Sequence, residues 1–124
     1  MCPACDEALI VFELDGVEID RCLRCGGTWL DAGELDQLAR LDGGARGPLD
    51  AALAEAADGP RGDRRCVRCS SKMTIVTVQS VDIDRCPRGH GHWFDRSEIE
   101  TLLAGNRSGG VAAFLGQLQP KKGA

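Results

Sequence analysis

The chain has 124 residues, a formal net charge of −4 and five aromatic side chains, two tryptophans and three phenylalanines. This length fits one domain or two very small ones, and so few aromatic residues leave an ordinary hydrophobic core thin. No apolar run approaches the roughly 20 residues that cross a bilayer, and nothing at the N-terminus resembles a signal peptide, so we expect no membrane association. Seven cysteines in such a chain favour thiolate-bound metal in a reducing compartment, and we expect a cytoplasmic protein.

The charged residues are unevenly distributed along the chain. Residues 1–42 carry ten acidic and three basic side chains, whereas residues 66–105 carry five of each. Affinity for nucleic acid rests largely on neutralising phosphates, so the acidic first part argues against general nucleic-acid binding. Any such role would belong to the second part and to the arginines that precede it.

A segment near the N-terminus recurs 64 residues later. The stretch VEIDRCLRCGGTWLDAGEL at 17–35 corresponds to VDIDRCPRGHGHWFDRSEI at 81–99, and the same offset relates the Cys-x2-Cys pairs at 2–5 and 66–69. A repeat held in register over this length predicts two copies of one structural module. A unit of about 64 residues buries too little apolar surface to be stable by itself and usually needs a crosslink or a metal.

The first module, residues 1–42, is predicted to contain two zinc knuckles, a β-hairpin between them and a helix after the second knuckle. These elements fall at residues 2–5, 9–14, 17–21, 22–25 and 31–41. The hairpin is predicted because Asp15-Gly16 favours a two-residue turn and because Val17 and Ile19 alternate with acidic residues.

The helix of the first module is predicted from a capping box. Asp31 resembles an N-cap, and Glu34 three residues later can reach back to it. A catalytic pair of carboxylates would have the same spacing. Because Asp95 and Glu98 repeat that spacing in the second module and capping explains both pairs, we favour the structural interpretation.

Residues 43–65 are predicted to form a helical linker. An Ala-rich stretch at 48–57 is bounded by Gly-Pro pairs, and its weak apolar face favours a spacer helix over a docking element. A loose basic cluster follows, formed by Arg61, Arg64, Arg65 and Arg68. We interpret this cluster as a solvated linker, with a phosphate contact as the alternative.

The second module, residues 66–105, repeats the plan of the first, with a knuckle, two hairpin strands and a capped helix. These elements fall at residues 66–69, 73–78, 81–85 and 95–104. In the tail, 106–124, a short amphipathic turn is predicted to fold back onto a module or to dock on a partner. Its apolar residues are Val111, Phe114, Leu115 and Leu118. The last residues of the tail are predicted to be disordered.

Two Cys-x2-Cys pairs separated by a hairpin predict a four-cysteine zinc site in the first module. Zinc prefers tetrahedral thiolate or imidazole ligands, and a knuckle places two sulfurs about one coordination edge apart. The predicted ligands are Cys2, Cys5, Cys22 and Cys25.

The second module departs from this pattern, because Gly89 stands where the first has Cys25. A vacant fourth position would leave an open, hydrolysis-competent site. His90 follows directly, however, and an imidazole reaches farther than a thiol. We therefore predict two closed tetrahedral sites, the second formed by Cys66, Cys69, Cys86 and His90. His92 competes for this role, but its place beside Trp93 is more typical of packing.

Interpretations of the cysteines other than zinc binding fit the sequence less well. Disulfides fit poorly with an odd number of cysteines, and a thioredoxin-like dithiol needs a βαβ setting for which neither module has room. Iron also accepts four thiolates, but the histidine suits zinc better. Trp29 and Trp93 could stack on bases, yet both precede a capped helix, which favours a role in the core.

The motifs CPAC and VEIDRCLRCGGTWLDAGEL resemble the bacterial zinc-ribbon domains known as transcription-factor-IIB-like zinc fingers. Residues 1–42 match this pattern closely, and residues 66–105 match it except where CPRGHG replaces the usual Cys-x2-Cys-Gly-Gly. The resemblance implies a treble-clef or ribbon-like zinc module in each half and, by name only, a link to transcription. Likeness of fold does not by itself carry function over.

We therefore predict a small, metal-stabilised α+β protein of two tandem zinc ribbons, with two structural zinc ions and no enzymatic activity. The expected function is that of an adaptor for another protein, associated with transcription. One alternative is a nucleic-acid-binding module that uses the arginines around the second ribbon, namely Arg61, Arg64, Arg65, Arg68, Arg85 and Arg88. The other is a zinc-thiolate redox switch or hydrolase, although no nucleophile-base pair supports catalysis.

Overall fold

The computed structural model describes residues 1–41 and 48–105. Seven strands and three helices occur along this part of the chain. In chain order they are β1 Ile10–Leu14, β2 Val17–Arg21, β3 Thr28–Asp31, α1 Glu34–Leu41, α2 Pro48–Glu55, β4 Arg61–Arg65, β5 Lys72–Val78, β6 Val81–Arg85, β7 Gly91–Phe94 and α3 Arg96–Gly105. None of these helices has both the length and the apolar character needed to span a bilayer.

The strands form one antiparallel sheet with the order β1-β2-β3-β7-β6-β5-β4. We call β1–β3 with α1 ribbon 1, and β5–β7 with α3 ribbon 2. The two ribbons join edge to edge through β3 and β7, where Trp29 pairs with Trp93. These two residues occupy the same position in the repeat, so an approximate two-fold axis passes between them. The predicted fold class of two tandem zinc ribbons is confirmed.

Each ribbon is built on a two-residue hairpin. The turn between β1 and β2 places Asp15 at φ 48° and Gly16 at φ 84°, and the turn between β5 and β6 places Gln79 and Ser80 at φ 48° and 67°. Two consecutive positive φ values are characteristic of the type I′ turn, whose twist matches that of the paired strands. The strand pairing is then in the same register in both ribbons.

The sheet separates two apolar clusters. On one face, α1 and α3 cover a core that contains Ile19, Leu30 and Phe94. On the other face, Trp29 and Trp93 are fully buried among the cysteines. The interpretation of both tryptophans as core residues is confirmed.

The capping boxes are present in part. The Asp31 and Asp95 backbone N–H groups donate to the Glu34 and Glu98 carboxylates at 2.7 and 2.8 Å, as predicted. Asp95 directly precedes α3, so the N-cap prediction holds in ribbon 2. Asp31 instead ends β3, with two residues between it and the start of α1, and the prediction that it is an N-cap is wrong.

Each ribbon contains a third strand that was not predicted from the sequence, β3 in ribbon 1 and β7 in ribbon 2. Their formation requires close approach of the chains at two glycines. A Cβ on Gly27 would lie 2.2 Å from the Trp93 ring, and one on Gly91 would lie 2.9 Å from the Trp29 ring. Gly27 and Gly91 are equivalent in the repeat, so each ribbon supplies the glycine against which the other packs its tryptophan.

The described part of the predicted helical linker, residues 48–65, is more than a linker. Helix α2 packs against the core through Ala52 and Leu53, and Ala56 directly after the helix does the same, which corrects the expectation of a spacer helix. Strand β4 pairs with β5, so the expected solvated linker is in fact an edge strand of the sheet. The exact boundaries of the two modules stay a prediction, and the amphipathic segment at 111–118 lies outside the described residues.

Candidate metal centres

The first centre is formed by Cys2, Cys5, Cys22 and Cys25. Their sulfur atoms all lie within 4.8 Å of one another. One knuckle precedes β1 and the other follows β2, so the hairpin holds the two pairs at the same end of ribbon 1. Cys2 and Cys22 are buried, whereas Cys5 and Cys25 are partly exposed.

The second centre occupies the equivalent place in ribbon 2. It is formed by Cys66, Cys69, Cys86 and His90, whose ligand atoms also lie within 4.8 Å of one another. His90 directs Nδ1 toward the cysteines, at 3.4 Å from the Cys86 Sγ and 3.9 Å from the Cys66 Sγ. The structure therefore brings all eight predicted ligands together in two groups of four.

The distances fit tetrahedral coordination. With zinc–sulfur bonds of about 2.3 Å, two sulfurs of one tetrahedron lie about 3.8 Å apart. The Cys2 and Cys25 Sγ atoms are 3.7 Å apart, and so are those of Cys69 and Cys86. All seven cysteines are free, and these separations are far from the roughly 2 Å of a disulfide bond. The disulfide alternative is wrong for this structure.

The local turn explains how a histidine replaces a cysteine. Both loops are closed by the same backbone bond, from the Cys22 N–H to the Gly27 carbonyl and from the Cys86 N–H to the Gly91 carbonyl. Inside the second loop the left-handed residue is Gly89, at φ 81°, and its N–H donates to the Cys86 carbonyl. This turn is one residue tighter than that of the first loop, and the longer imidazole then reaches the ligand position.

Backbone N–H groups surround the sulfur atoms. The Cys2 Sγ accepts from the Ala4 and Cys5 N–H groups, both at 3.3 Å. The Cys66 and Cys86 Sγ atoms accept in the same way, from the Arg68 and Arg88 N–H groups, also at 3.3 Å. Such bonds favour the thiolate form that metal binding requires.

The thiols differ in acidity because their surroundings differ. Desolvation raises the pKa of Cys5 and of Cys66 to about 11 in each case. Hydrogen bonding to Ser71 lowers the pKa of Cys69 to about 6. A divalent cation offsets the charge of thiolates that burial disfavours, so metal binding releases protons and weakens as the pH falls.

His92 lies on the other side of the sheet from the cysteines. It is opposite Leu30 and Arg85 in the strand pairing, and its ring centroid is 6.1 Å from that of Phe94. Burial lowers the pKa of His92 to about 4, which keeps its imidazole neutral. The alternation of side chains along β7 places His92 on the helix side of the sheet together with Phe94, whereas His90 precedes the strand and lies in the knuckle loop beside the cysteines.

Arginines form a second set of contacts around the centres. Arg68 binds both Asp31 oxygens at 2.9 Å and Asp20 at 2.8 Å, and therefore connects the knuckle of ribbon 2 to ribbon 1. Arg64 of β4 binds the equivalent pair in ribbon 2, Asp84 at 3.2 Å and Asp95 at 2.8 Å. This role of the two arginines was not predicted from the sequence, although the repeated aspartate pair was a visible signal.

Arg85 also makes contacts within the protein. Its guanidinium donates to the Leu53 and Ala56 carbonyls at the C-terminal end of α2, at 3.0 and 2.6 Å, and pairs with Asp58 at 2.9 Å. A cation is favourable at this end of a helix because the last carbonyls lack partners and the helix dipole is negative there. Arg85 therefore fixes α2 on ribbon 2.

The shared sheet, the paired knuckles and the two tetrahedral ligand sets define a zinc-ribbon protein with two structural zinc sites. The chain belongs to the family described as Transcription factor zinc-finger, whose model matches residues 1–41 and 65–105. The two matched segments correspond to the two copies of the repeat. A search of curated proteins and a search of solved structures found no match.

Proposed function

We propose that this zinc-binding chain is a non-enzymatic cytoplasmic adaptor that presents the surface of its fused ribbons to another protein. The transcription apparatus is the class of partner that the family description suggests. The observation that carries the proposal is the closure of both metal centres: each has four protein ligands, so no position is left for a substrate or a reactive water. Zinc then acts on the fold rather than on a substrate.

The hydrogen-bond partners of the carboxylates near the metal centres support a structural role for the zinc sites. Asp31 accepts from Trp29 and Arg68, and Asp95 from Arg64, so each is held in an ion pair. A general base needs a free carboxylate within reach of a substrate proton. The exchangeable ligand position required by a zinc hydrolase or a redox switch would have to come from the side of the second centre where His90 is exposed.

The contacts of the arginine side chains weigh against the alternative of a nucleic-acid-binding module. Arg64, Arg68 and Arg85 are bound to carboxylates, and Arg65 donates to the Ser70 carbonyl at 2.9 Å. Of the six arginines considered, Arg61 and Arg88 are exposed and make no such contact with the described residues 1–41 and 48–105. Three arginine charges that no carboxylate of the described residues offsets, those of Arg61, Arg65 and Arg88, give little affinity for phosphates on an acidic chain.

A pull-down from native lysate tests the proposal. The zinc-loaded chain should retain a defined protein partner, and a chelator-stripped sample should lose it because the ribbon surface is no longer formed. A gel-shift titration at low salt serves as the companion measurement. Salt-sensitive binding of nucleic acid that is abolished by Arg61→Glu and Arg88→Glu, without any protein partner, would contradict the proposal.

A further inference from the structure

The two ends of the sheet are equivalent in the repeat but differ in what covers them. At one end β4 and the preceding residues cover β5. The Ile75 N–H donates to the Pro60 carbonyl and the Gly59 N–H donates to the Ile75 carbonyl, both at 2.9 Å. At the other end lies β1, and within residues 1–41 and 48–105 no strand pairs with its outer edge.

The register of the hairpins identifies the groups that face outward from β1. Leu14 pairs with Val17 in ribbon 1 as Val78 pairs with Val81 in ribbon 2, so Val11 occupies the position of Ile75. Its backbone N–H and carbonyl therefore point away from β2, as those of Ile75 point toward β4.

Exposure differs accordingly between the two edges. Val11 is 59% exposed and Ile10 43%, whereas Thr74, the equivalent of Ile10, is 6% exposed. An exposed edge with apolar side chains is a template for pairing with another strand. Ribbon 2 provides an example of such a covering strand in the same molecule. There β4, which has the basic sequence RGDRR, pairs with the edge of β5.

The charge around β1 indicates the kind of strand that would fit. Glu13 lies directly opposite Glu18 and both are exposed. Like charges at such a position are destabilising. In ribbon 2 the equivalent pair is Thr77 and Asp82, joined by a hydrogen bond of 2.7 Å. An added strand with cationic side chains would relieve the repulsion between the two glutamates.

We propose that the outer edge of β1 is a strand-addition site for an extended, basic segment of a partner protein. The segment would hydrogen-bond to the Val11 backbone and place arginine or lysine side chains beside Glu13 and Glu18. A second copy of this chain fits less well, because pairing β1 with β1 would bring two such glutamate pairs together. This inference rests on the proposed adaptor function and names the surface that the partner uses.

A synthetic peptide based on β4 provides the probe. It has the sequence of residues 57–65 with Ala57→Lys, because continuing the register of β4 places residue 57 opposite Thr77, the equivalent of Glu13. Its control carries Ala57→Glu instead. Titrated into the zinc-loaded full chain, the basic peptide should shift the amide signals of residues 10–14 in a saturable way, and the control peptide should not. Hydrogen exchange at Val11 should be fast in the free chain and slowed in the complex.

Variants of β1 separate strand addition from general attraction to an acidic protein. Val11→Pro removes the outward N–H, a change that edge strands tolerate, and should weaken peptide binding about tenfold. Ile75→Pro is the matched substitution and should unfold the chain because its N–H is bonded to Pro60. Glu13→Lys is a second variant that should weaken binding while stabilising the free protein, since it replaces a repulsive pair with an ion pair.

Several results would overturn the proposal. They are slow exchange at Val11 in the free chain, peptide shifts confined to ribbon 2, unchanged affinity in both β1 variants, and self-association through β1. Its failure can be told apart from that of the adaptor function. A Val11→Pro chain that captures the same protein partner as the unmodified chain refutes the edge site alone, whereas capture by neither refutes the adaptor function.

Discussion

His90 completes the second ligand set from a position one residue later than the cysteine it replaces. His90→Ala removes an Nδ1 atom that lies 3.4 Å from the Cys86 Sγ. We expect this variant to retain one zinc ion per chain instead of two after dialysis against a weak chelator, measured by elemental analysis. His92→Ala should retain two, because His92 faces the helix-side core. Two ions in the His90 variant, or one in the His92 variant, would reverse the ligand assignment.

Arg68 is the side chain through which ribbon 2 compensates the charge of ribbon 1. Its loss in Arg68→Gln leaves Asp20 buried without a counter-charge, although burial already raises the pKa of this carboxyl. Leaving such a group unpaired costs about 1–3 kcal/mol. We expect a corresponding fall in the midpoint of thermal unfolding of the zinc-loaded protein. Arg61→Gln, an exposed substitution in β4, is the control, and an equal fall in both variants would show that the ion pair contributes nothing specific.

At the scale of elements, the contact between the ribbons depends on a glycine of each loop. Gly27→Ala places a methyl group 2.2 Å from the Trp93 ring, and this ring is fully buried. Overpacking of this kind costs about 1–3 kcal/mol. Gly62→Ala is the matched control, because its Cβ would meet Ile75 at an ordinary 3.6 Å, and its effect should stay within about 0.5 kcal/mol. Denaturant unfolding measures both, and a Gly27 variant as stable as the control would contradict this packing.

The elements that could be predicted are those whose local sequence determines them. The hairpins were predictable because turn residues and alternation agree, as at Asp15-Gly16, and the ligand sets because cysteine spacing is specific. Strand β3 was not predictable, because Thr28, Trp29 and Leu30 are all buried and show no period of two. Strand β4 has the composition of a linker, and it becomes a strand because it pairs with the edge of β5, a tertiary contact that its own residues do not signal.

At the scale of the whole molecule, the repeat predicts two modules but does not predict that they share a sheet. The pairing of β3 with β7 depends on reciprocal contacts between Trp29 and Gly91 and between Trp93 and Gly27. Each of these residues has a sufficient local explanation in the sequence, a core tryptophan or a glycine that permits a turn. The structure shows instead that each tryptophan and each glycine is needed for its contact with a residue of the other ribbon.

This shared sheet predicts that the two metal centres stabilise one cooperative unit. Structural zinc supplies on the order of 10–16 kcal/mol per site, so loss of one centre should destabilise its ribbon severely. Cys86→Ser removes a buried ligand of the second centre. We expect the amides of β2, in the other ribbon, to lose at least about tenfold in protection from hydrogen exchange, because β3 loses its partner β7 and Trp29 its packing against ribbon 2. Arg88→Ser in the same loop should leave this protection unchanged. Full protection of β2 in the Cys86 variant would mean that the ribbons are independent modules that only lie side by side.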